Sequence, residues 1–304
     1  MKKKIINLFI IVFIFLIIIF MFKNPILIKD DVISSVSLWL TKVFPTLFPM
    51  LILNDILISC GLPELFKKYF SKFSNKIFNL SGSGSYLLFM SMISGTPANA
   101  YILKELYNSS NISLEEANKV IYYCYFSNPM FLYTMLSLMF NDQYIIICII
   151  LAHYSSNIII GLLIRNNCIV TYSTNISRAK KINLTKTIQK GMDTMIIVLG
   201  TITVYSLLGI IIINIFRLNR LSIFTGFLEI TEGLNMLSKI SLNTYIKIVF
   251  SISIISFGGL SIHSQIKSII NDTPISYKNF LCGRFYQVII SIIIVSILYF
   301  FHIC

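Results

Sequence analysis

Charge is scarce in this chain: 12% of its 304 residues are Asp, Glu, Lys or Arg, against about a quarter in soluble domains. Acidic residues are the scarcer sign, 12 against 25 basic ones, for a net charge of +13. Cys60, Cys124, Cys148, Cys168, Cys282 and Cys304 are scattered with no C-x-x-C pair, which argues against a zinc site or a disulfide framework. His153, His263 and His302 stand in no H-E-x-x-H or Ser/His context, and no Gly-rich phosphate loop occurs. Intrinsic ATPase, metalloprotease and serine-protease chemistry therefore lack their residues. The expectation is of no enzyme, no catalytic residue, no metal and no cofactor.

Apolar residues fill the space that charge leaves. The chain is 56% hydrophobic, with a mean hydropathy of +0.81. No aqueous globule of this size has interior enough for that much apolar surface. Several runs approach the ~20 residues that cross a bilayer. The sequence predicts an all-α, polytopic helical protein of the cell membrane. Its Lys and Arg residues cluster between apolar runs, as the positive-inside rule requires, and no nucleic-acid motif accompanies them. A homo-oligomer is compatible with the sequence.

Lys2-Lys3-Lys4 precedes an apolar run over 5–22, and Lys23-Asn24-Pro25 follows it. That is no cleavage site, so an uncleaved first span with a cytoplasmic N-terminus is expected. A second span covers 32–60, kinked at Pro45 and Pro49, with Asn54 and Asp55 at its end. Over 63–80, Phe66, Phe70, Phe73 and Ile77 share one helical face and Lys68, Lys72 and Lys76 another. This pattern predicts a helix lying on anionic headgroups. Ser113 and Glu116 read as a capping box for a helix continuing to Phe140, interrupted at Phe126-Ser-Asn-Pro129. Further spans are expected at 144–164, 192–216, 249–270 and 285–301. His153, alone in its span, reads as a packing residue.

Two interruptions at membrane depth organise the rest. Ile93-Ser-Gly-Thr-Pro-Ala-Asn-Ala100 breaks one apolar run, and Ser256-Phe-Gly-Gly-Leu-Ser-Ile-His-Ser-Gln265 another. Unpaired backbone in lipid costs several kcal/mol, so such breaks persist only in protein or beside a polar cavity. Paired broken helices point to a transport site; packing hinges are the other reading. The candidate solute-binding residues are Gly95, Thr96, Pro97, Asn99, Ser127 and Asn128 from the first half. Gly258, Gly259, Ser261, His263 and Gln265 come from the second, with Ser264 beside them. Helix N-termini after Pro97 and Gly259 would add partial positive charge, which suits a small polar or anionic solute. Glu229, Glu232 and Asp55 are candidates for ion or proton coupling.

A weak internal repeat pairs Gly95 with Gly258, Lys104 with Lys267 and Ser113 with Ser276. At a shorter offset, Lys42 pairs with Lys190 and Thr46 with Thr194. The predicted organisation is a membrane span (1–31), a first half (32–165), a cytoplasmic basic linker (166–190) and a second half (191–304). The basic stretches near 67–76 and 165–190 belong on one side, with an odd number of apolar runs between them. One run must therefore enter and leave on the same side, and the run broken at Gly95 is the first candidate. The halves would then be inverted copies.

Ser94-Gly95-x-Pro97-x-x-Ala100, Ser127-x-Pro129, Phe227-Leu-Glu-Ile-Thr-x-Gly233 and Phe257-Gly-Gly-Leu-Ser-x-His-x-Gln265 resemble the YlbJ-type sporulation integral membrane proteins. Those belong to the wider gate-domain or nucleoside-recognition group, together with the membrane gates of ferrous-iron and nucleoside transporters. The resemblance covers roughly residues 37–299. It implies a role in endospore formation, in the forespore or mother-cell membrane, as a transporter or gate. A non-transporting scaffold for the spore envelope is the alternative. Where the family commonly has Gly-Ala-Lys, this chain has Asn99-Ala100-Tyr101, with Lys104 about one turn on.

Overall fold

The computed structural model describes residues 2–166, 182–216 and 219–301. Arg178, Lys180 and Lys181 of the predicted linker, and Cys168, Cys304 and His302, lie outside the described residues. Among the described residues there is helix and no strand. Among the described residues, five helical stretches are long and apolar enough to cross a membrane: Pro25–Ser59, Gln143–Leu163, Leu184–Ile215, Thr244–Ile270 and Tyr277–Phe300. The protein is a multi-pass membrane protein.

Helix α1 (Lys2–Lys23) carries the first apolar run, and Pro25 then starts α2 (Pro25–Leu38). The second span thus begins seven residues before its predicted start. Hydropathy hides this turn because Lys29, Asp30 and Asp31 fall in it. A π-helical turn (Trp39–Val43) joins α2 to α3 (Phe44–Ser59), which holds Pro45 in its first turn and Pro49 inside. The predicted surface helix is two helices, α4 (Leu62–Tyr69) and α5 (Ser71–Phe78), meeting at Phe70. Phe66 turns inward onto Tyr86 and Phe89, while Phe70, Phe73, Lys68, Lys72 and Lys76 stay exposed.

Helices α6 (Gly82–Ser94) and α7 (Ala98–Asn108) flank the first break, across a cis Thr96-Pro97 bond. With 13 and 11 residues, each reaches only about 15–20 Å, too short to cross ~30 Å of hydrocarbon. Together they make a hairpin with both ends at one end of the molecule. The Ser81 amide, before α6, donates to Glu116 just beyond α7 at 2.7 Å. That bond also corrects the predicted capping box. Ser113 does cap α8 (Leu114–Val120), but Glu116 caps the neighbouring helix instead of its own.

The helix expected to continue to Phe140 does not. It ends at Val120, passes through a turn and an extended stretch over 124–128, and resumes as α9 (Pro129–Leu136). Pro129 drives Asn128 out of the helical region, to φ −57°, ψ 132°. Helix α10 (Gln143–Leu163) returns. Then come α11 (Leu184–Phe216), which begins inside the stretch read as linker, a 3₁₀ segment (Asn219–Phe227) and α12 (Ile230–Lys239). Helices α13 (Thr244–Phe257) and α14 (Gly259–Ile270) flank the second break, and α15 (Tyr277–Phe300) ends the described fold.

Contacts between ends fix the direction of each piece. At the lysine-rich end, Lys119 donates to the carbonyls of Phe78 (2.7 Å) and Arg165 (2.5 Å). Lys104 pairs with Asp272 at 2.7 Å, and Asn118 accepts from the Ser276 amide at 2.7 Å. At the other end, Tyr245 meets Ser296 at 3.0 Å and stacks near Tyr299. So α8–α9 and α13–α14 both traverse the molecule, in opposite directions. The 3₁₀ segment and α12 form a second hairpin, entering from the end opposite to the first. A Cβ on Gly233 would lie 2.0 Å from the Gly226 Cα, so only glycine lets its two arms touch.

Candidate functional site

The two hairpin tips and the two broken traverses meet. The Thr96 amide donates to the Phe126 carbonyl at 3.0 Å, and the Ser261 amide to the Leu228 carbonyl at 2.9 Å. Gly95, at φ 70°, lies so close to the traverse that a Cβ would fall 2.4 Å from the Asn128 nitrogen. Side chains satisfy the extended stretch instead of a helix ladder. Asn99 takes the Cys124 carbonyl (2.5 Å), Asn157 that of Tyr125, Thr96 that of Phe126 (3.1 Å) and Tyr154 that of Ser127 (3.0 Å). This meets the demand that lipid places on irregular backbone.

Between these elements lies a central cavity of about 40 Å³, walled by Thr96, Pro97, Ser127, Asn128, Glu229, Ser261 and Gln265, with Val198 and Ile202 of α11 behind. It is room for little more than a water. The Ser261 hydroxyl is buried without a hydrogen-bond partner, at a cost of about 1–3 kcal/mol if nothing fills the space. Gln265 is held by Thr201 at 2.5 Å. Glu229 caps α12 by accepting from the Glu232 amide at 2.6 Å.

The remaining sequence candidates lie elsewhere. Gly95 and Asn99 stand behind the cavity and shape the first tip. A Cβ on Gly258 (φ 89°) would meet the Tyr125 hydroxyl, and one on Gly259 the backbone of the second hairpin. His263 is fixed between the Tyr277 hydroxyl (2.8 Å) and the Phe257 carbonyl (3.0 Å), within an aromatic cluster. Ser264 bonds back to the Ser261 carbonyl. Asp55 pairs with Lys190 at 3.1 Å and lines a separate cleft of about 590 Å³ at the lysine-rich end, with Lys104, Glu105 and Asp193. Ala98 and Thr194 form part of the floor of that cleft. They are two residues from Thr96 and one turn from Val198, so the cleft stops about one helical turn short of the cavity. Glu232 faces away, into a small chamber with Asp31. Lys104, beside Asp272 in an exposed turn, holds that carboxyl below its usual range.

Sequence reading missed three parts of this arrangement: Asp31, the α11 wall, and the clamp behind residues 124–128. In the clamp, fully buried Arg284 donates to the Tyr122 carbonyl (2.8 Å) and to Gln287. Its guanidinium lies 4.1 Å from the Tyr125 ring centroid. His153 accepts from the Ser127 amide at 3.1 Å and meets Gln287 at 3.0 Å, so it is the packing residue expected. Asp31 and Arg284 each sit one residue before a predicted apolar run, where a charge reads as a water boundary, so the available signal was only a charge close to membrane depth. Among the described residues, no group of His, Cys, Asp and Glu is placed to hold a metal ion.

No family model matches the chain, and no solved structure matches it. It is 24% identical over 310 residues to the sporulation integral membrane protein YlbJ of Bacillus subtilis (strain 168), covering 88% of this chain and 76% of that protein. The chain is thus a multi-pass membrane protein distantly related to a sporulation integral membrane protein.

Proposed function

We propose that this protein transports or gates a small polar or anionic solute across a membrane of the developing spore, forespore or mother cell. The observation that carries the reading is the central cavity. Four separate irregular stretches of backbone converge on it, and a buried hydroxyl faces it unpaired. The large cleft leads toward it from the lysine-rich end, which the positive-inside rule makes cytoplasmic. In this state the cavity is too small for a solute, so binding requires the intervening turn to move. The exposed lysines and phenylalanines of α4–α5 suit anionic headgroups on that side. The distant relative supplies the sporulation context.

The direction of the elements supports inverted halves. In this reading α2–α3 answers to α11, the α6–α7 hairpin to the 3₁₀–α12 hairpin, α8–α9 to α13–α14, and α10 to α15. It also changes the register drawn from sequence. Gly95 lies at a hairpin tip and Gly258 inside a traverse, so Gly95 answers to the 228–229 tip, and Ser127-Asn128 to Gly258-Gly259.

Ser261→Ala tests the site. Its hydroxyl bonds to nothing, so the variant is expected to melt no lower than wild type. Flux in proteoliposomes, with a panel of small polar and anionic solutes, is expected to fall. A bound solute is expected to raise the wild-type melting point, by about 2.7 kcal/mol of stabilisation at a hundredfold excess over Kd. No flux and no solute-dependent shift in wild type, with sporulation intact in the variant, would leave a non-transporting scaffold as the better reading.

A further inference from the structure

On the far side of Glu229 from the central cavity lies a second, smaller chamber of about 10 Å³. Three carboxyl groups line it. Asp31 comes from α2 and Glu232 from α12, while Glu229 also walls the central cavity. Asp31, Glu229 and Glu232 are 5%, 1% and 7% exposed. The Asp31 Oδ1 accepts from the Ser206 hydroxyl at 2.9 Å, and its Oδ2 is buried with no hydrogen-bond partner among the described residues. Among the described residues the Glu232 carboxyl is met only by the Asn235 amide, at 3.4–3.5 Å.

Three such groups cannot all be ionised here without compensation, because burying one unpaired carboxylate already costs several kcal/mol. Among the described residues no Lys, Arg or His forms an ion pair with them; Lys239, on the same helix as Glu232, acts on it only through space. From α11 the chamber receives Ser206, Ile210 and Ile213; from the 3₁₀ segment it receives Thr225; from α12 it receives Met236. Lys239 of α12 and Lys29 and Asp30 of α2 are exposed. The space is barely large enough for a single water, and among the described residues no group of His, Cys, Asp and Glu is placed to hold a metal ion.

We infer that Asp31, Glu232 and Glu229 form a proton-binding site, open in sequence toward the end opposite the lysines and ending at the wall of the central cavity. Each transfer moves one proton from a carboxyl oxygen to the next carboxylate through one water, and no electrons change hands. Occupancy at Glu229 then alters the charge that the central cavity presents to a solute. That last step rests on the transport reading above; the proton site itself does not.

The test uses the full chain in lipid nanodiscs, followed by infrared difference spectroscopy between acid and alkaline pH. Asp31→Asn and Glu229→Gln are near-isosteric, and their melting points check that they fold. Each is expected to lose one carboxyl's share of the protonated C=O absorption, and Asp31→Asn to displace the titration of what remains. An unchanged Asp31→Asn difference spectrum would overturn the proposal, since Asp31 would then stay in one state throughout. So would loss of the bands at constant pH when sodium replaces choline, because the occupant would then be a metal cation. Ser261→Ala is expected to keep the bands. If Ser261→Ala also leaves flux intact while Asp31→Asn removes its band, the central-site reading fails and the proton site stands.

Discussion

At the scale of single residues, the decisive groups are those that replace a helix ladder with side-chain bonds. Arg284 is the strongest case. Among the described residues no carboxylate pairs with this guanidinium; a buried charge left so is costly, and it is retained where its fork reaches two separate acceptors. Here those are the Tyr122 carbonyl in the turn after α8 and Gln287, with the Tyr125 carbonyl at 3.4 Å. Arg284→Met orphans these acceptors, at about 1–3 kcal/mol each. We expect a net loss of roughly 2–3 kcal/mol, read as a lower melting point in detergent or lipid. Arg284→Lys is expected not to restore it, because one ammonium cannot span a planar fork's acceptors. Full stability in the lysine variant would mean that charge alone matters there.

At the scale of elements, hairpin and traverse fit because glycine removes side chains where backbones touch. Gly95→Ala requires φ near 70° and places a Cβ 2.4 Å from the Asn128 nitrogen. Strain and clash together are expected to cost roughly 2 kcal/mol or more. Gly200 is its control. It sits inside α11, and a Cβ there meets nothing within 4 Å. Gly200→Ala is therefore expected to be neutral or stabilising, by up to about 1 kcal/mol. Paired thermal melts separate the two, and equal effects would show that the tip is not close-packed. Elements were legible where the signal is local: Ser113 caps a helix as read, and α9 begins at Pro129 where an interruption was read, whereas Pro25, Asn243 and Ser276 start helices several residues ahead of the predicted spans at 32, 249 and 285. The extended stretch over 124–128 was not legible. Its sequence, Cys-Tyr-Phe-Ser-Asn, is as apolar as a helix, and what holds it open comes from Asn99, Asn157, Tyr154 and Arg284, remote along the chain. The candidate site divided in the same way. Polar residues on a break (Thr96, Ser127, Asn128, Ser261, Gln265) line the cavity, while Asn99, His263 and the glycines on the same breaks lie outside its lining.

At the scale of the whole molecule, three spaces lie in a row: the wide cleft, the central cavity and the acidic chamber. The first two share α3 and α11, whose residues alternate between them at one-turn spacing: Leu51 and Thr194 in the cleft, Leu47 and Val198 in the cavity. Glu229 joins the second to the third. The row has meaning for transport only if its ends face opposite sides of the membrane, and the element directions predict that they do. Cysteines at Lys72, Lys186 and Asp272, in a chain otherwise free of cysteine, are expected to react with a membrane-impermeant maleimide from the cytoplasmic side alone. Those at Asp142 and Asn243 are expected to react only from the other side. The pair Lys72 and Lys186 carries the most information. Each flanks an odd number of apparent apolar runs from the other, so shared sidedness requires that α6–α7 turn back. Labelling of these two from opposite sides would make α6–α7 a crossing segment. It would place the cleft and the acidic chamber on one face, and no path would remain for a solute to follow.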